Sequence, residues 1–234
     1  VMLTSRGEPL LFPDQITDYL HHLKEFNFPF IELQTNGILL QKNKEKYDKY
    51  LRLWYEKGLT TITISVVSHR PELNKKNYMQ DNSDYINLPE LIDYLHDLKF
   101  CVRLTCVCCK NMMDNSQEVA EFIKFAKENQ VEQVTLRPVN DEYRRESAHL
   151  WILENKLTDE NKKDIKDYLE KNGTKLLELE RIGTIYDVDG QNVLFSLPLT
   201  KYTRDTNPEN LRNLIFFQDG HIRYEWEMEG GILL

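Results

Sequence analysis

Short apolar runs alternate with helical patterns through the first 140 residues of the chain. The runs that predict strands are Val1–Thr4, Phe30–Thr35, Thr60–Val66, Cys101–Val107 and Gln133–Arg137. Helix candidates lie between them, near residues 14–26, 43–57, 88–98 and 115–129. This alternation predicts βαβ units and a parallel α/β sheet, either open and doubly wound or part of a barrel.

Polar and apolar residues also alternate within the strand runs. In the third run Thr61, Thr63 and Ser65 share one face, and isoleucine or valine occupies the other. A parallel strand that helices cover on both faces is apolar nearly throughout. The alternation therefore favours a curved, barrel-like sheet with helices on one face and a polar cavity on the other. The alternative is an antiparallel α+β sheet with one solvated face, which the regular intervening helices disfavour.

The pattern changes after about residue 150. A helix is predicted near 158–171, and two Asp-Gly pairs, Asp189-Gly190 and Asp219-Gly220, each lie between strand-like residues and predict hairpins. The domain prediction is a partial barrel over residues 1–150 and a helix with β hairpins, a small β-rich extension, over residues 151–234.

Composition narrows the class of protein. The 234 residues are 41% hydrophobic and 29% charged, which is typical of a folded globular chain. The net charge of −8 disfavours a nucleic-acid partner, and no apolar run reaches the roughly 20 residues that cross a bilayer. Three of the four cysteines are bunched together, which does not indicate a disulfide framework, so we expect a cytoplasmic protein.

Candidate chemistry lies at the carboxyl ends of the predicted strands, where ligands gather in βα architectures. The five ends read SRGEP, QTNG, SVVSH, TCVCC and LRPVN. Each candidate has a structural explanation when it is taken singly, but their shared location favours a binding site. The residues at these ends that could bind a ligand are Gly7, Glu8, Asn36, Ser65 or Ser68, and Arg103.

The stretch LTSRGEPLLFPDQITDYLHHLKEFNFPFIELQTNGILL resembles a segment of radical S-adenosylmethionine (SAM) enzymes. Gly-Glu-Pro-Leu-Leu and Thr-Asn-Gly, at this separation, match motifs at the ends of that family's second and third strands. A looser likeness continues to about residue 140. The resemblance implies a partial (β/α)6 radical-SAM-type barrel that lacks its first βα unit, and Arg6 stands where the family motif has its first glycine.

The resemblance also implies a set of cofactor-binding residues. It places Gly7 and Glu8 near the amino group of SAM, and Thr35 and Asn36 in the wall of the site. Ser65 would contact the ribose or the carboxylate, and Arg103 would pair with the carboxylate. Arg137 would approach the adenine or the substrate. The residues expected to bind the cofactor are Gly7, Glu8, Thr35, Asn36, Ser65, Arg103 and Arg137.

One family feature is absent from the sequence. The Cys-x3-Cys-x2-Cys loop that holds a [4Fe–4S] cluster has no counterpart, since the four cysteines read C-x4-C-x-C-C. The ligands of the cluster are therefore not expected in this chain. The start at Val1 rather than Met favours an intact protein with a further N-terminal segment, and the 234 residues alone are expected to be inactive.

The leading hypothesis is the core of a radical SAM enzyme. When intact, such an enzyme would reductively cleave SAM at its cluster and abstract hydrogen from a small-molecule or peptide substrate, with an external electron donor. The alternatives are a degenerate, non-catalytic ligand-binding or scaffold half-barrel and a TIM-barrel lyase or isomerase with Glu8 or Glu32 as base. The C-terminal residues that could cap the barrel are Tyr186, Arg223, Tyr224 and Trp226.

Overall fold

The strands of the chain follow the predicted runs closely. The computed structural model describes residues 1–5, 7–79, 83–139, 146–179, 182–196, 214–217 and 219–223. The first five strands are β1 (Met2–Leu3), β2 (Glu32–Thr35), β3 (Thr61–Val66), β4 (Cys101–Cys108) and β5 (Gln133–Pro138). The later strands are β6 (Thr174–Leu179), β7 (Gly183–Val188), β8 (Gln191–Ser196), β9 (Ile215–Phe216) and β10 (Ile222–Arg223).

Helices connect the first five strands. They are α1 (Pro13–Leu23), α2 (Ile38–Lys42), α3 (Lys44–Glu56), α4 (Pro71–Tyr78), α5 (Leu88–Asp97) and α6 (Ser116–Glu128). Two more, α7 (Glu146–Asn155) and α8 (Asp159–Asn172), follow β5. Asn115 caps α6 by accepting a hydrogen bond from the Glu118 N–H. The sequence reading missed α4 because its eight residues have only a weak helical apolar pattern, although Pro71 suits a first helical position.

The strand order decides between the two kinds of parallel sheet. β1 to β5 lie side by side in chain order, and each pairs with the next in parallel. A doubly wound sheet would reverse its order at a switch point, and none occurs across these five strands. Right-handed connections between sequential neighbours place the helices on one face, which is the arrangement of a barrel wall. The parallel pairing also excludes the antiparallel α+β alternative.

The two faces of the sheet differ as expected from the alternation. Leu33, Ile62 and Val102 are in register on neighbouring strands and are fully buried, as part of one apolar core with the helices. Glu32, Gln34 and Ser65 occupy the other face and are half-buried. The hydrophobic effect therefore fixes which face the helices cover, and it leaves the second face polar.

The β-rich extension is built onto this same sheet. β8 pairs in parallel with β5, β7 pairs antiparallel with β8, and β6 pairs antiparallel with β7. Asp189 and Gly190 close the β7–β8 hairpin with φ values of 51° and 84°, as the Asp-Gly pair predicts. A register shift between Lys175 and Leu177 places an extra residue in β6.

The chain forms two compact units, Val1–Pro198 and Leu199–Leu234. The boundary predicted at residue 150 lies inside the first unit, because β8 pairs with β5 and the side chains of α8 join the same core. In the second unit β9 and β10 form the antiparallel hairpin that Asp219-Gly220 predicts. Tyr224 and Trp226 lie outside the described residues, so their predicted capping role remains a prediction. Among the described helices none is both long and apolar enough to cross a membrane.

Candidate functional site

Glu8 lies five residues after the end of β1 and starts the next turn. Its Oε1 accepts a hydrogen bond from the Leu10 N–H at 3.0 Å, which caps the short 3₁₀ turn Pro9–Leu11. The Tyr47 hydroxyl of α3 donates to the Leu10 carbonyl at 2.6 Å and holds the same turn from the core side. Burial, and next the Glu8 carboxylate, raise the pKa of Tyr47, so that hydroxyl stays protonated as a donor.

The Glu8 carboxylate also joins the end of β1 to the end of β2. Thr35 Oγ1 donates to Oε1 at 2.7 Å, and the Asn36 N–H donates to Oε2 at 2.9 Å. A carboxylate has about four acceptor positions, and donors from the described residues fill three of them. One position on Oε2 is left for an external donor. The two motifs that carry the family resemblance are thus bonded to each other in space.

The Thr35–Gly37 turn is closed by its own side chains. Thr35 Oγ1 accepts from the Gly37 N–H at 3.1 Å, and Asn36 Oδ1 accepts from the Ile38 N–H at 3.0 Å. Gly37 has a φ of +75°, and a Cβ there would lie 3.0 Å from a Leu91 methyl group. Only glycine fits this turn without strain. Thr35 and Asn36 therefore lie in a closed turn at the carboxyl end of β2.

Gly7 lies in open space beside this turn. A Cβ built on it would meet no heavy atom within 4 Å, and the residue is exposed. Ser5 accepts from the Gly7 N–H and donates to the Gly7 carbonyl, which fixes the backbone. A ligand can therefore approach this backbone closely. Arg6, the departure from the family motif, lies outside the described residues.

Ser65 and Ser68 have different roles after β3. Ser65 is the last polar-face residue of β3, and its hydroxyl accepts from Gln34 Nε2 at 3.2 Å. Ser68 is fully buried, its hydroxyl accepts from the Arg70 N–H, and its carbonyl accepts from Asn74 Nδ2 at 2.6 Å. Ser65 is therefore the hydroxyl available at the strand ends, and Ser68 closes the following loop.

A hydrogen-bonded chain crosses the polar face near the amino ends of the strands. We call it the bonded row: Glu32, Arg103, Gln133 and Asn192. Arg103 Nη2 lies 2.5 Å from Glu32 Oε1, and its Nη1 donates to Gln133 Oε1 at 3.3 Å. Gln133 Nε2 donates to Asn192 Oδ1 at 2.9 Å. Burial raises the pKa of Glu32, and the Arg103 guanidinium opposes part of that rise.

Arg103 is thereby placed away from the strand ends. It is the third residue of β4, five residues before Cys108, or about 16 Å along the strand. The resemblance implies that Arg103 pairs with a SAM carboxylate, but in the structure its carboxylate partner is Glu32. The alternating pattern predicted that Arg103 lies on the polar face, but such a pattern does not give the partner of a residue. The same ion pair occupies Glu32, which makes it a poor candidate for a catalytic base.

Nearer the carboxyl ends a second row of residues crosses the polar face. We call it the open row: Ser65, Thr105 and Thr135, which are in register on β3, β4 and β5. Thr105 and Thr135 are 6% and 7% exposed, and among the described residues none hydrogen-bonds to either hydroxyl. Arg137 follows Thr135 on the same face, is exposed, and has no hydrogen-bond or ion-pair partner within the described part of the chain.

The cysteines do not fit an iron–sulfur cluster. Cys106 is in register with Val66 and Leu136 on the apolar face, as the alternation predicted, and Cys108 and Cys109 are also buried. Burial raises the pKa of the Cys106 thiol well above its ordinary value and that of Cys109 to about 11, whereas cluster ligands are thiolates. Across the described residues no group of three or more His, Cys, Asp or Glu side chains is placed to hold a metal ion.

Sequence reasoning missed two contributors to the site. Tyr47 supports the Glu8 turn from 37 residues away along the chain, and no local signal marks such a contact. The free hydroxyls of Thr105 and Thr135 were visible as polar-face positions but not as candidates. The available signal was that Thr105 and Thr135 occupy matching positions on neighbouring strands, two residues after Arg103 and Gln133.

A cavity of about 680 Å³ lies at the opposite edge of the sheet from these groups. Its lining includes Cys101 and Glu132, at the amino ends of β4 and β5, and His96 of α5. His96 Nε2 and Glu132 Oε2 are 3.3 Å apart there. This cavity lies away from the carboxyl ends of the strands and from the two motifs.

No family model matches this sequence, and no curated protein matches it. Among solved structures, the chain is similar to SuiB of Streptococcus suis bound to S-adenosylmethionine, with 17% identity and a TM-score of 0.44 over 70% of this chain and 34% of SuiB. A domain of the pyruvate-formate lyase-activating enzyme of Bacteroides vulgatus has 16% identity and a TM-score of 0.44, over 72% of this chain and 93% of that one. Methylornithine synthase (PylB) has 11% identity and a TM-score of 0.35, over 53% and 42%.

The chain spans about a third of the length of SuiB. The likeness to these structures is low in identity and in TM-score, so the site is judged on its own residues. Parallel strands in chain order, with one apolar and one polar face, confirm the α/β fold class expected from the sequence. The chain has the architecture of a partial (β/α) barrel with a β-rich C-terminal extension.

Proposed function

We propose that this chain is the SAM-binding part of a radical SAM enzyme. The observation that carries the proposal is the bonding of Glu8 to Thr35 and Asn36, which unites the Gly-Glu-Pro and Thr-Asn-Gly motifs at one edge of a parallel sheet. Ligands of βα proteins bind at this edge. The polar face behind it supplies further hydrogen-bonding groups.

The described residues fit SAM in charge and shape. Gly7 leaves open space for the methionine part, and Glu8 Oε2 keeps one acceptor position for its ammonium group. Ser65 has a half-buried hydroxyl at the β3 end for the ribose or the carboxylate. Thr35 and Asn36 hold Glu8 in place and form the adjoining wall. With Arg103 committed to Glu32, Arg137 is the free cation of the site within the described residues.

The same residues do not fit the [4Fe–4S] cluster that this reaction class uses, and no step is assigned through it. When bound, the cluster supplies the electron that such enzymes need. What this chain contributes under the proposal is the binding of SAM and its orientation across the strand ends. The substrate, which we propose to be a small molecule or a peptide, would occupy the polar face beside SAM.

A binding titration tests the proposal with a matched pair of variants. Ser65→Leu and Thr61→Leu introduce the same side chain on the same face of β3, at opposite ends of the strand. We expect SAM to bind wild type saturably, with affinity at least tenfold weaker for Ser65→Leu and unchanged for Thr61→Leu. Equilibrium dialysis with labelled SAM, with ATP as a competitor control, measures both. The absence of saturable SAM binding by wild type would overturn the proposal.

A non-catalytic SAM-binding protein is the second candidate, and the placement of the cysteines favours it. The described thiols are buried or protonated and make no metal group. Assay of the full-length protein, reconstituted anaerobically with iron and sulfide and kept under reducing conditions, separates the two functions. Formation of 5′-deoxyadenosine from SAM supports the enzyme, and saturable SAM binding without that product supports the non-catalytic protein.

A further inference from the structure

Two hydroxyls of the open row are buried without partners. Thr105 and Thr135 are at least nine-tenths buried as residues, and no described residue hydrogen-bonds to either hydroxyl. The Thr135 Oγ1 atom is itself fully buried without a partner among the described residues. A buried polar group with no hydrogen bond costs stability, and native structures contain few such groups. In the neighbouring bonded row Glu32, Arg103 and Gln133 are linked to one another, although Arg103 Nε and the hydroxyl of Thr63 beside it are also buried without partners among the described residues. What distinguishes the open row is that a free cation, Arg137, adjoins its unpaired hydroxyls.

The free guanidinium of Arg137 lies just beyond these hydroxyls. Arg137 follows Thr135 by two residues on β5, so it projects from the same face about 6.6 Å further along the strand. Thr105 lies beside Thr135 on β4, about 4.8 Å away in the direction of the strand hydrogen bonds. The two hydroxyls and the cation thus form a compact group on β4 and β5. The other residues proposed to contact SAM lie on or just after β1, β2 and β3, and of the two roles expected for Arg137, beside the adenine or beside the substrate, this inference takes the second.

We infer that this group binds a second ligand, an anionic small molecule whose uncharged hydrogen-bonding group reaches Thr105 and Thr135 and whose anion pairs with Arg137. Neutral hydroxyls suit a hydroxyl or amide group of the ligand, since each donates and accepts. Arg103 and Glu32 neutralise each other in the bonded row, so the unpaired charge on this part of the face is the positive charge of Arg137, which favours an anionic ligand. The identification of this ligand as the substrate rests on the proposed function. The inferred chemistry of the ligand rests only on Thr105, Thr135 and Arg137.

Small probes test the ligand class and show whether its anionic group is a phosphate or a carboxylate. Glycerol 3-phosphate and N-acetylglycine combine an uncharged polar group with a phosphate or a carboxylate, and glycerol and inorganic phosphate each lack one half. We expect saturation-transfer NMR to show that one combined probe binds wild type at least fivefold more tightly than either half-probe. The better combined probe identifies the anion. Combined probes that bind no better than glycerol and phosphate would overturn the inference.

Valine substitution separates a binding hydroxyl from a structural one. Thr135→Val removes an unpaired buried hydroxyl at nearly constant volume, so we expect Tm to rise by about 2–4 °C while affinity for the better probe falls at least fivefold. Thr61→Val is the control, because Thr61 lies on the polar face and its hydroxyl is bonded to that of Thr60. For this variant we expect no rise in Tm and no loss of affinity for the probe. Arg137→Gln should reduce the combined probes to the affinity of glycerol.

The opposite pattern would contradict the inference. A Thr135→Val variant with lower Tm and unchanged probe affinity shows that the hydroxyl serves the fold. SAM titration of the same samples keeps the two proposals apart. Wild type that binds SAM but not the combined probes retains the proposed function and loses this inference, and the reverse result loses only the proposed function.

Discussion

The two polar rows of this sheet share a face and differ in how they satisfy their polar groups. In the bonded row, Arg103 pairs with Glu32 and with Gln133, so the charge is neutralised inside the chain. In the open row Thr105 and Thr135 lack partners among the described residues, and Arg137 extends free beyond them. Groups that complete their own hydrogen bonds stabilise a fold, whereas groups left incomplete at the carboxyl edge are available to a ligand.

Removing the cation of the bonded row should have the largest effect on stability. Arg103→Met leaves Glu32 buried without its partner, and we expect a loss of about 3 kcal/mol in the free energy of unfolding. Urea unfolding measures the loss. The control is Arg52→Met, which breaks an exposed pair with Asp48 on α3 and should change stability little. Equal effects of the two variants would contradict the assignment of Arg103 to the fold.

The same variant has a predicted pH dependence. Burial raises the pKa of Glu32 in the folded state above its ordinary value of 4.5, so the folded chain holds that proton more tightly than the unfolded chain. Stability from this group is therefore greatest at low pH and falls as the pH rises from about 4.5 through the raised pKa. The deficit of Arg103→Met should be smaller at pH 5 than at pH 7.5, within a range where wild type stays folded. A deficit that is constant with pH would contradict this cause.

A change at the junction of β1 and β2 should have the next largest effect. Glu8→Gln presents an amide N–H₂ to one of three backbone or hydroxyl donors, so we expect a loss of about 2 kcal/mol in unfolding free energy. SAM affinity should fall with it, because Glu8 both holds the β2 end and keeps an acceptor position free. Glu25→Gln, in the exposed turn after α1, is the matched control. Full retention of SAM affinity would show that Glu8 serves only the fold.

Two glycines of the site should respond differently to alanine. Gly37→Ala forces a side chain into a φ of +75° and toward Leu91, and we expect a loss of about 1–2 kcal/mol. Gly7→Ala meets open space, so its unfolding free energy should stay unchanged while SAM affinity falls. Thermal unfolding and SAM titration of both variants give the comparison. Unchanged SAM affinity in Gly7→Ala would exclude the proposed close approach at this residue.

The smallest effect on stability is expected in the open row itself. Thr105→Val should change the unfolding free energy by no more than about 0.5 kcal/mol, because its hydroxyl has no described partner to lose. Thr35→Val, also at a buried threonine, removes a hydroxyl that donates to Glu8 and accepts from Gly37, and should cost about 1 kcal/mol. If Thr105→Val costs as much as Thr35→Val, the distinction between bonded and open hydroxyls fails.

Much of the fold followed from local patterns along the chain. Alternation in β3 gave the polar and apolar faces, and Asp189-Gly190 gave the β7–β8 hairpin, because both depend on neighbouring residues. The parallel pairing of β8 with β5 was not predicted. It joins strands about 60 residues apart, and no periodicity in either strand names its partner. The sheet consequently extends past residue 150, where a change of pattern had suggested a boundary.

The candidate site divides in the same way. Glu8, Asn36 and Ser65 were found because each closes a strand within a short motif. The partner of Arg103 could not be read from the sequence, since Glu32 lies 71 residues away and reaches it across β3. Tyr47 was missed for the same reason. Sequence patterns identified the face of each residue better than its hydrogen-bond and ion-pair partners.

The bulge in β6 bears on how the chain behaves at high concentration. β6 ends the order of strands in this sheet, and Leu176 and Leu177 are both about half exposed on it. A regular, apolar edge strand is a template on which other chains add strands and aggregate. The extra residue at Leu176 interrupts the spacing of hydrogen-bonding groups, and Lys175 adds a charge beside it. Deletion of Leu176 would therefore make β6 a regular edge strand and increase the tendency of the protein to aggregate.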